Sequence, residues 1–423
     1  MTRPVVAVVD PFSTGSQLAS ELARRGWDTV AVISGSSVPA DFRTGFRPER
    51  YRAVVDAADG DPLARLGPYR PAHVIAGCEW GVTTADRLAE QLGLPGNGTR
   101  LSPCRRDKFA MAERLRETGL DAAASLATDR LEEVLAWADA GGHWPLVIKP
   151  PASAGSDSVA ICADPAQAAA AFERVHGRTD RIGGLNERVL AQELLVGDQY
   201  FVNTVSLDGR HYVHEIWRER RTTVDGAVVY DYQELLPTEG AEQRVLAAYV
   251  VRVLDALGIA HGPAHAEVML TPRGPVLIEV GARLEGSVTS RGPEAATGRS
   301  QVSLTVDALT APDDFARLPG TDYRLRQHLR VVCLIASRDG RVAGEPLAEL
   351  RGLPTYLCGS VDRLEPGAPV RRTVDLFTSP GHLYLVGAGR DGIERDYRLV
   401  RELERTGLYR GGPRLGETVG AAR

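Results

Sequence analysis

Short apolar runs recur along this chain, and the spacing of apolar and polar residues switches between two periods. The opening "VVAVVD" is continuously apolar, "TGSQLASELARRG" carries its apolar residues at helical spacing, and "TVAVIS" is apolar again. This order predicts strand, helix and strand, a βαβ unit. "RAVVDA", "HVIAGCE" and "GVTTADRLAEQLG" continue the alternation, so residues 1–100 are expected to form a small parallel-sheet, Rossmann-like α/β domain. In open sheets of this kind ligands bind beyond the carboxyl ends of the strands, which puts "DPFSTG" and "AGCEWG" at a candidate site edge. Plain turns, with a helix cap at Ser13 or Thr14, explain the two loops equally well.

The pattern changes after residue 100. "SPCRRDKFAMAERLRETG" and "DRLEEVLAWADAGG" read as helices, and "WPLVIKPPASAGSDSVAICAD" as a buried strand that ends at Lys149 and turns through small residues. Beyond a helix at "DPAQAAAAFERV", the segments "ERVLAQELL", "QYFVNTVSL", "RHYVHEIWRE" and "AVVYDYQELL" are expected to form one antiparallel sheet, with a hairpin at "LDGR". The helix "AEQRVLAAYVVRVLDALG" then leads into two long strands, "GPAHAEVML" and "GPVLIEVGAR", around a turn at "TPRG". Residues 321–423 carry short strands such as "LRVVCLIAS" and "HLYLVGAG", a β-rich C-terminal domain. The fold class expected is therefore α/β and α+β, in three parts: 1–100, 101–320 and 321–423.

Composition narrows the function. A chain of 423 residues with 43% hydrophobic and 25% charged residues is an ordinary folded protein of several domains. Its 50 basic and 55 acidic residues are interspersed, so no basic stripe offers a nucleic-acid footprint. No window approaches about 18 uncharged apolar residues, and the start lacks a cleavage signal. A cytoplasmic protein with neither nucleic acid nor membrane as partner is expected. Five cysteines, Cys78, Cys104, Cys162, Cys333 and Cys358, lie far apart and never in CxxC spacing, which argues against a disulfide framework and a zinc site.

Two stretches carry candidate chemistry. A lysine at a strand end beside a loop of Ala, Ser and Gly suits a polyphosphate, because backbone N–H groups approach closely where no bulky Cβ intervenes. Lys149 and its loop fit that description, though a structural lysine beside an ordinary loop fits it too. Glu267 and Glu279 fall in two strands joined by a tight turn, where two acids facing each other would repel without a cation. Hard oxygen ligands in that arrangement suit Mg2+ shared with substrate phosphates. Arg283 follows four residues later as a charge stabiliser.

Taken in order, "RRDK" with Lys108, "VIKP" with Lys149, the small-residue loop, "QELLVGDQYFV", "HAEVML" and "IEVGAR" resemble the ATP-grasp superfamily of ATP-dependent carboxylate–amine ligases. "DPFSTGSQLASELARRG" and "VIAGCEWGVTTADRLAEQLGLPGN" are similar to the branch that includes the bacterial L-amino-acid ligases, which make dipeptides. The resemblance covers about residues 1–310 and implies an ATP-grasp fold, with residues 101–190 as a lid subdomain and 191–320 as hinge, metal and substrate subdomain. It implies that Lys108 and Lys149 hold ATP phosphates, and that Ser153, Ala154, Gly155, Ser156 and Ser158 belong to a loop closing over them. Glu193, Leu194 and Leu195 would lie against adenine. Glu267 and Glu279 would ligate Mg2+, or Mn2+ in its place, and Arg283 would steady an acyl phosphate. His265 matches a histidine of this branch, a buried structural histidine being the alternative; Gly286 and Ser287 are candidate substrate contacts. The implied partners are a small acid and an amine, with a homodimer as candidate assembly.

The chain departs from the family pattern at three places. Gly281 stands where many members carry asparagine, and Gln199 where a glutamate is usual. "DYQELLP" offers Asp231 and Glu234 where the dipeptide ligases have a Glu-x-x-His pair. Those two carboxylates suit an ammonium or guanidinium substrate, or surface ion pairs. Competing readings are activation of an acid for a non-amine nucleophile and a nucleotide sensor without turnover. A Rossmann oxidoreductase is excluded, since "DPFSTG" lacks the glycine pattern that admits a pyrophosphate.

Overall fold

The computed structural model describes residues 3–411 apart from 36–37, 39–42, 44, 154, 156, 182, 225–226, 287–288, 321–322 and 377. Two compact units divide the chain: residues 1–218 with 236–325, and residues 219–235 with 326–423.

In the first unit β1 (Val5–Val9), β2 (Asp28–Ile33), β3 (Ala53–Asp56) and β4 (His73–Ala76) form a parallel sheet in the order β3-β2-β1-β4. All five residues of β1 are buried, which is why that strand reads as a continuous apolar run. Helix α1 (Leu18–Arg24) packs Leu18 and Leu22 into the same core as Val6 and Val8. The loops after β1 and β4 touch, since a Cβ on Gly15 would come 2.1 Å from the Gly77 carbonyl oxygen. Glycine here permits loop-to-loop approach.

A second, antiparallel sheet combines β5 (Ser125–Thr128), β6 (Leu146–Lys149), β7 (Ala160–Cys162) and β8 (Val189–Glu193) in the order β5-β8-β6-β7. Helices α2 (Leu131–Gly141) and α3 (Pro165–Val175) share its core through Val134, Ala138, Ala168 and Phe172. This corrects the expectation that "ERVLAQELL" joins the long strands: Leu190 pairs with Lys149 and Val189 with Thr128. Residues Val189 to Gln192 are all buried, and a strand without polar alternation carries no signal of which sheet it enters.

The long strands form the third layer. β9 (Asp198–Leu207) and β10 (Arg210–Val224) meet at Asp208 and Gly209, both at positive φ (50° and 75°), the geometry that "LDGR" predicts. β12 (Gly262–Thr271) pairs with β9 and, through a tight turn, with β13 (Gly274–Gly281).

In the second unit β11 (Ala227–Leu235), β14 (His328–Cys333), β16 (Tyr356–Gly359) and β18 (His382–Gly387) form an antiparallel sheet in the order β11-β14-β18-β16. Three short strands, β15 (Gly340–Val342), β17 (Pro369–Val370) and β19 (Tyr409–Arg410), make a small separate sheet. To the strand-rich reading the structure adds the helix Arg390–Thr406, whose Ile393, Val400 and Leu403 share the core with Val332, Leu383 and Leu385.

Candidate active site

Glu267 on β12 and Glu279 on β13 stand directly opposite each other in the antiparallel register. A β-bulge between Glu267 and Val268 makes this so. Val268 pairs with Leu277, and without the extra residue Glu267 would face Ile278, leaving Glu279 on the other face of the sheet. Both carboxylates are partly exposed. Gln199 Nε2 donates to Glu267 Oε2 at 3.2 Å, and His265 Nε2 lies 3.6 Å from Glu267 Oε1.

Two lysines converge on this pair. Asp107 caps the helix Lys108–Glu117 by accepting from the Phe109 and Ala110 amides at 2.8 and 3.0 Å, which fixes Lys108 as its first residue. The Lys108 amide donates to Pro151 O at 2.8 Å, and its Nζ reaches both Ser153 O and Glu279 Oε2 at 2.6 Å. The helix start, the small-residue loop and the acid pair are thus tied together through one residue. Lys149, buried at the end of β6, has its pKa pulled down to about 8, first by burial and next by the charge of Lys108, while Glu279 and Glu267 pull the other way. Four charged groups share one electrostatic space.

The loop itself carries backbone at positive φ at Gly155 (70°) and Ser158 (53°). Asp157 accepts from Ser153 Oγ at 2.8 Å and from Ser158 Oγ at 2.9 Å. Ala154, Ser156 and Ser287 lie outside the described residues.

Arg283 is buried and donates from Nε to Glu79 Oε2 at 2.8 Å, while Arg106 pairs with Glu79 Oε1. Burial alone would raise the Glu79 carboxyl, yet Arg106 and Arg283 outweigh it and hold the pKa down to about 2. Glu79 sits in "AGCEWG", the loop singled out as a site edge, but nothing in the loop's composition distinguishes this acid. The same contact explains Gly281, because a Cβ there would lie 2.9 Å from both Arg283 Cζ and Glu79 Oε2, in the space that the ion pair fills. Since Glu79 titrates lower in the folded chain than in the unfolded one, its contribution to stability is complete above about pH 4.5 and is lost as pH falls toward 2. Glu79→Gln should therefore flatten the fall in urea midpoint across that window; an unchanged slope would contradict the assignment.

The remaining candidates are placed as follows. Glu193 ends β8 with its carboxylate on the Ala124 amide at 2.8 Å and on Arg273 Nη1 at 3.0 Å, and Leu194 and Leu195 follow, half-buried. His265 Nδ1 bonds Asn203 Oδ1 at 2.8 Å. Gly286 is exposed, and its carbonyl accepts from Ser13 Oγ. Asp231 and Glu234 belong to the second unit and have cationic neighbours there: Asp231 accepts from Arg401 Nη2 at 2.7 Å and Tyr397 Oη at 2.9 Å, and Glu234 lies 3.9 Å from Arg330. Asn203, Glu215 and Glu285, which the sequence left unmarked, are buried close to His265.

The chain has relatives among known proteins. The chain is 32% identical to dapdiamide A synthase of Enterobacter agglomerans over 95% of its own length and 96% of the relative's, and residues 143–291 match the ATP-grasp domain. The chain belongs to the ATP-grasp carboxylate–amine ligases. The ligase is also 22% identical to the L-arginine-specific L-amino acid ligase of Bacillus subtilis over 54% of this chain and 55% of that one. In fold it resembles the L-amino acid ligase of Bacillus licheniformis, with a TM-score of 0.74 at 18% identity, covering 95% and 98% of the two chains. Among the described residues of the ligase no helix is long and apolar enough to cross a membrane.

Two opposed carboxylates fit a hard divalent ion that takes its other ligands from phosphate and water. Among the described residues no group of three or more His, Cys, Asp or Glu side chains is placed to hold a metal ion.

Proposed function

We propose that this chain joins the carboxylate of an amino acid or similar small acid to an amine, giving a dipeptide or related amide with ADP and phosphate. One observation carries the reading: Glu267 faces Glu279, Lys108 bonds both Glu279 and the loop carbonyl of Ser153, and Lys149 lies buried in the same field. The relatives' printed names, a dapdiamide synthase and an amino-acid ligase, support the same chemistry.

The acid's carboxylate oxygen attacks the γ-phosphorus of ATP in line. The new O–P bond forms as the bond to the bridging oxygen breaks, and ADP leaves. Lys108 and Lys149 neutralise charge on the transferring group, and the contribution of the protein is positioning plus electrostatics. Mg2+ bound by Glu267 and Glu279, or Mn2+ in its place, would neutralise phosphate charge. The amine then attacks the acyl carbon, loses a proton and expels phosphate, with Arg283 held by Glu79 toward the developing negative charge. Ser153, Gly155 and Ser158 belong to the loop that keeps water from the acyl phosphate. Adenine lies along Glu193, Leu194 and Leu195, and the supply of ATP puts the reaction in the cytoplasm.

The test is ADP release over pairs of amino acids, with product mass read by mass spectrometry. Release that needs both an acid and an amine, with a mass equal to their sum less water, supports the proposal; ATP binding without turnover for every pair contradicts it. A proton balance follows from Lys149, which in the free protein is about half neutral near pH 8. Phosphate bound beside it favours the charged form, so ATP binding at pH 8 to 9 should take up protons. Calorimetry in buffers of different ionisation enthalpy measures that uptake, which Lys149→Met should abolish.

A further inference from the structure

One guanidinium meets the chain on both sides of the β5–β8 sheet. Arg273 lies in the turn between β12 and β13, where Thr271 Oγ1 donates to Gly274 O at 2.8 Å and accepts from the Arg273 amide at 3.3 Å, and Gly274 takes a φ of 114°. From that turn Arg273 Nε donates to Asp121 Oδ2 at 2.9 Å, just before the chain enters β5. Its Nη1 and Nη2 donate to Glu193 Oε2 and Oε1 at 3.0 and 2.5 Å, where the chain leaves β8. A planar fork can serve both oxygens of one carboxylate and a second acid at once, which an ammonium cannot do with the same geometry. Burial alone would raise the Glu193 carboxyl, yet the Arg273 fork and the Ala124 amide outweigh it and hold its pKa below the usual range.

Further contacts fix the same place. The Glu193 amide donates to Ala124 O at 2.9 Å while the Ala124 amide donates to Glu193 Oε1 at 2.8 Å. Tyr249 Oη donates to Asp121 O at 2.8 Å and accepts from the Leu277 amide of β13 at 2.9 Å. Four residues past Glu193, a Cβ on Gly197 would come 2.1 Å from Leu270 O, so the backbone there lies directly on the end of β12. The segment from Glu193 to Gly197 is thus an arch with both feet on the β12–β13 hairpin. Leu194 and Leu195 are only half-buried and Val196 is 70% exposed, so the span has little packing of its own and its place depends on its feet. The hairpin that carries Arg273 at its tip carries Glu267 and Glu279 along its strands.

Resting on the nucleotide site proposed for this chain, we infer that Arg273 is a positioning residue for the adenine end of ATP. By pinning Glu193 to the hairpin it holds the span Glu193 to Leu195 at a set distance from Glu267 and Glu279, so that base and phosphates engage together. Arg273 acts through Glu193 and does not touch the nucleotide. Its ion pairs are partly exposed and contribute little to global stability, so removing it frees the arch without unfolding the chain.

The test is calorimetric titration with two ligands, each with Mg2+: a non-hydrolysable ATP analogue, and tripolyphosphate, which has no base. Arg273→Met should weaken the analogue by about tenfold or more while tripolyphosphate stays within about twofold. A merely structural role would move both ligands or neither. Glu193→Gln should act in the same direction, which keeps the test decisive if Arg273→Met does not fold, and the double variant should lose no more than the weaker-binding single one, because both remove the same contact. In turnover the KM for ATP should rise with kcat kept. Analogue binding that both variants leave unchanged, or an equal loss for tripolyphosphate, overturns the inference alone. A wild type that binds neither ligand sinks the nucleotide site and the inference with it, whereas absence of ADP with every acid and amine sinks the ligase reaction and leaves the binding comparison standing.

Discussion

Glu279→Gln should lower ADP formation about a thousandfold, the scale of losing one charged group that acts on the transferring phosphoryl, while the protein still folds. The amide keeps the volume and the strand pairing with Glu267 but removes the anion that holds Lys108 at 2.6 Å. It also leaves Lys149, already depressed by burial and by Lys108, with one less opposing charge. The fall should therefore appear in kcat and in metal dependence together, with unfolding by circular dichroism nearly unchanged. A variant that turns over at the wild-type rate would remove Glu279 from the phosphate site. Glu279 is partly exposed, so the variant is expected to fold, and one that unfolds would show the residue to be structural instead.

The largest loss of stability is expected at Arg105→Met. Arg105 is 0% exposed, and its guanidinium donates to Asp86 Oδ2 from Nη2 at 2.8 Å and from Nε at 3.2 Å, and to Leu257 O from Nη1 at 2.9 Å. It thereby fastens the helix Val82–Gln91 to the turn that follows the helix Ala241–Ala256. Removing it strands Asp86 as a buried acid, at a cost of about 3–5 kcal/mol. The double variant Arg105→Met with Asp86→Leu should recover part of this, because it removes the orphaned charge as well as the pair. Urea midpoints of the three variants decide it. A single variant that loses under about 1 kcal/mol would mean that water or backbone takes over the carboxylate.

What could be read from the chain alone follows the reach of each signal. Local periodicity carries β1, α1 and β2, because an apolar run, a helical stripe and a second run each declare themselves within a dozen or so residues. The facing of Glu267 and Glu279 also came through, though by a route the sequence hides: two acids between apolar neighbours suggested a shared face, and only the bulge after Glu267 delivers it. Contacts that join distant segments were not legible. Glu79 meets Arg283 across 204 positions, and no local pattern marks which acid of the β4 loop will do so. Asn203, Glu215 and Glu285 lie on different segments and meet only when β9, β10 and the chain beyond β13 come together. Gly281 looked like a departure from its family and is explained by the packing of Arg283 on Glu79 beside it.

The most direct measurement is a crystal structure with a non-hydrolysable ATP analogue and Mn2+, the ion located by its anomalous signal. The account predicts one Mn2+ within about 2.0–2.4 Å of oxygens from both Glu267 and Glu279, with Lys108 and Lys149 on the phosphates and adenine beside Glu193 to Leu195. An ion bound away from those two acids, or phosphates lying out of reach of both lysines, would contradict it.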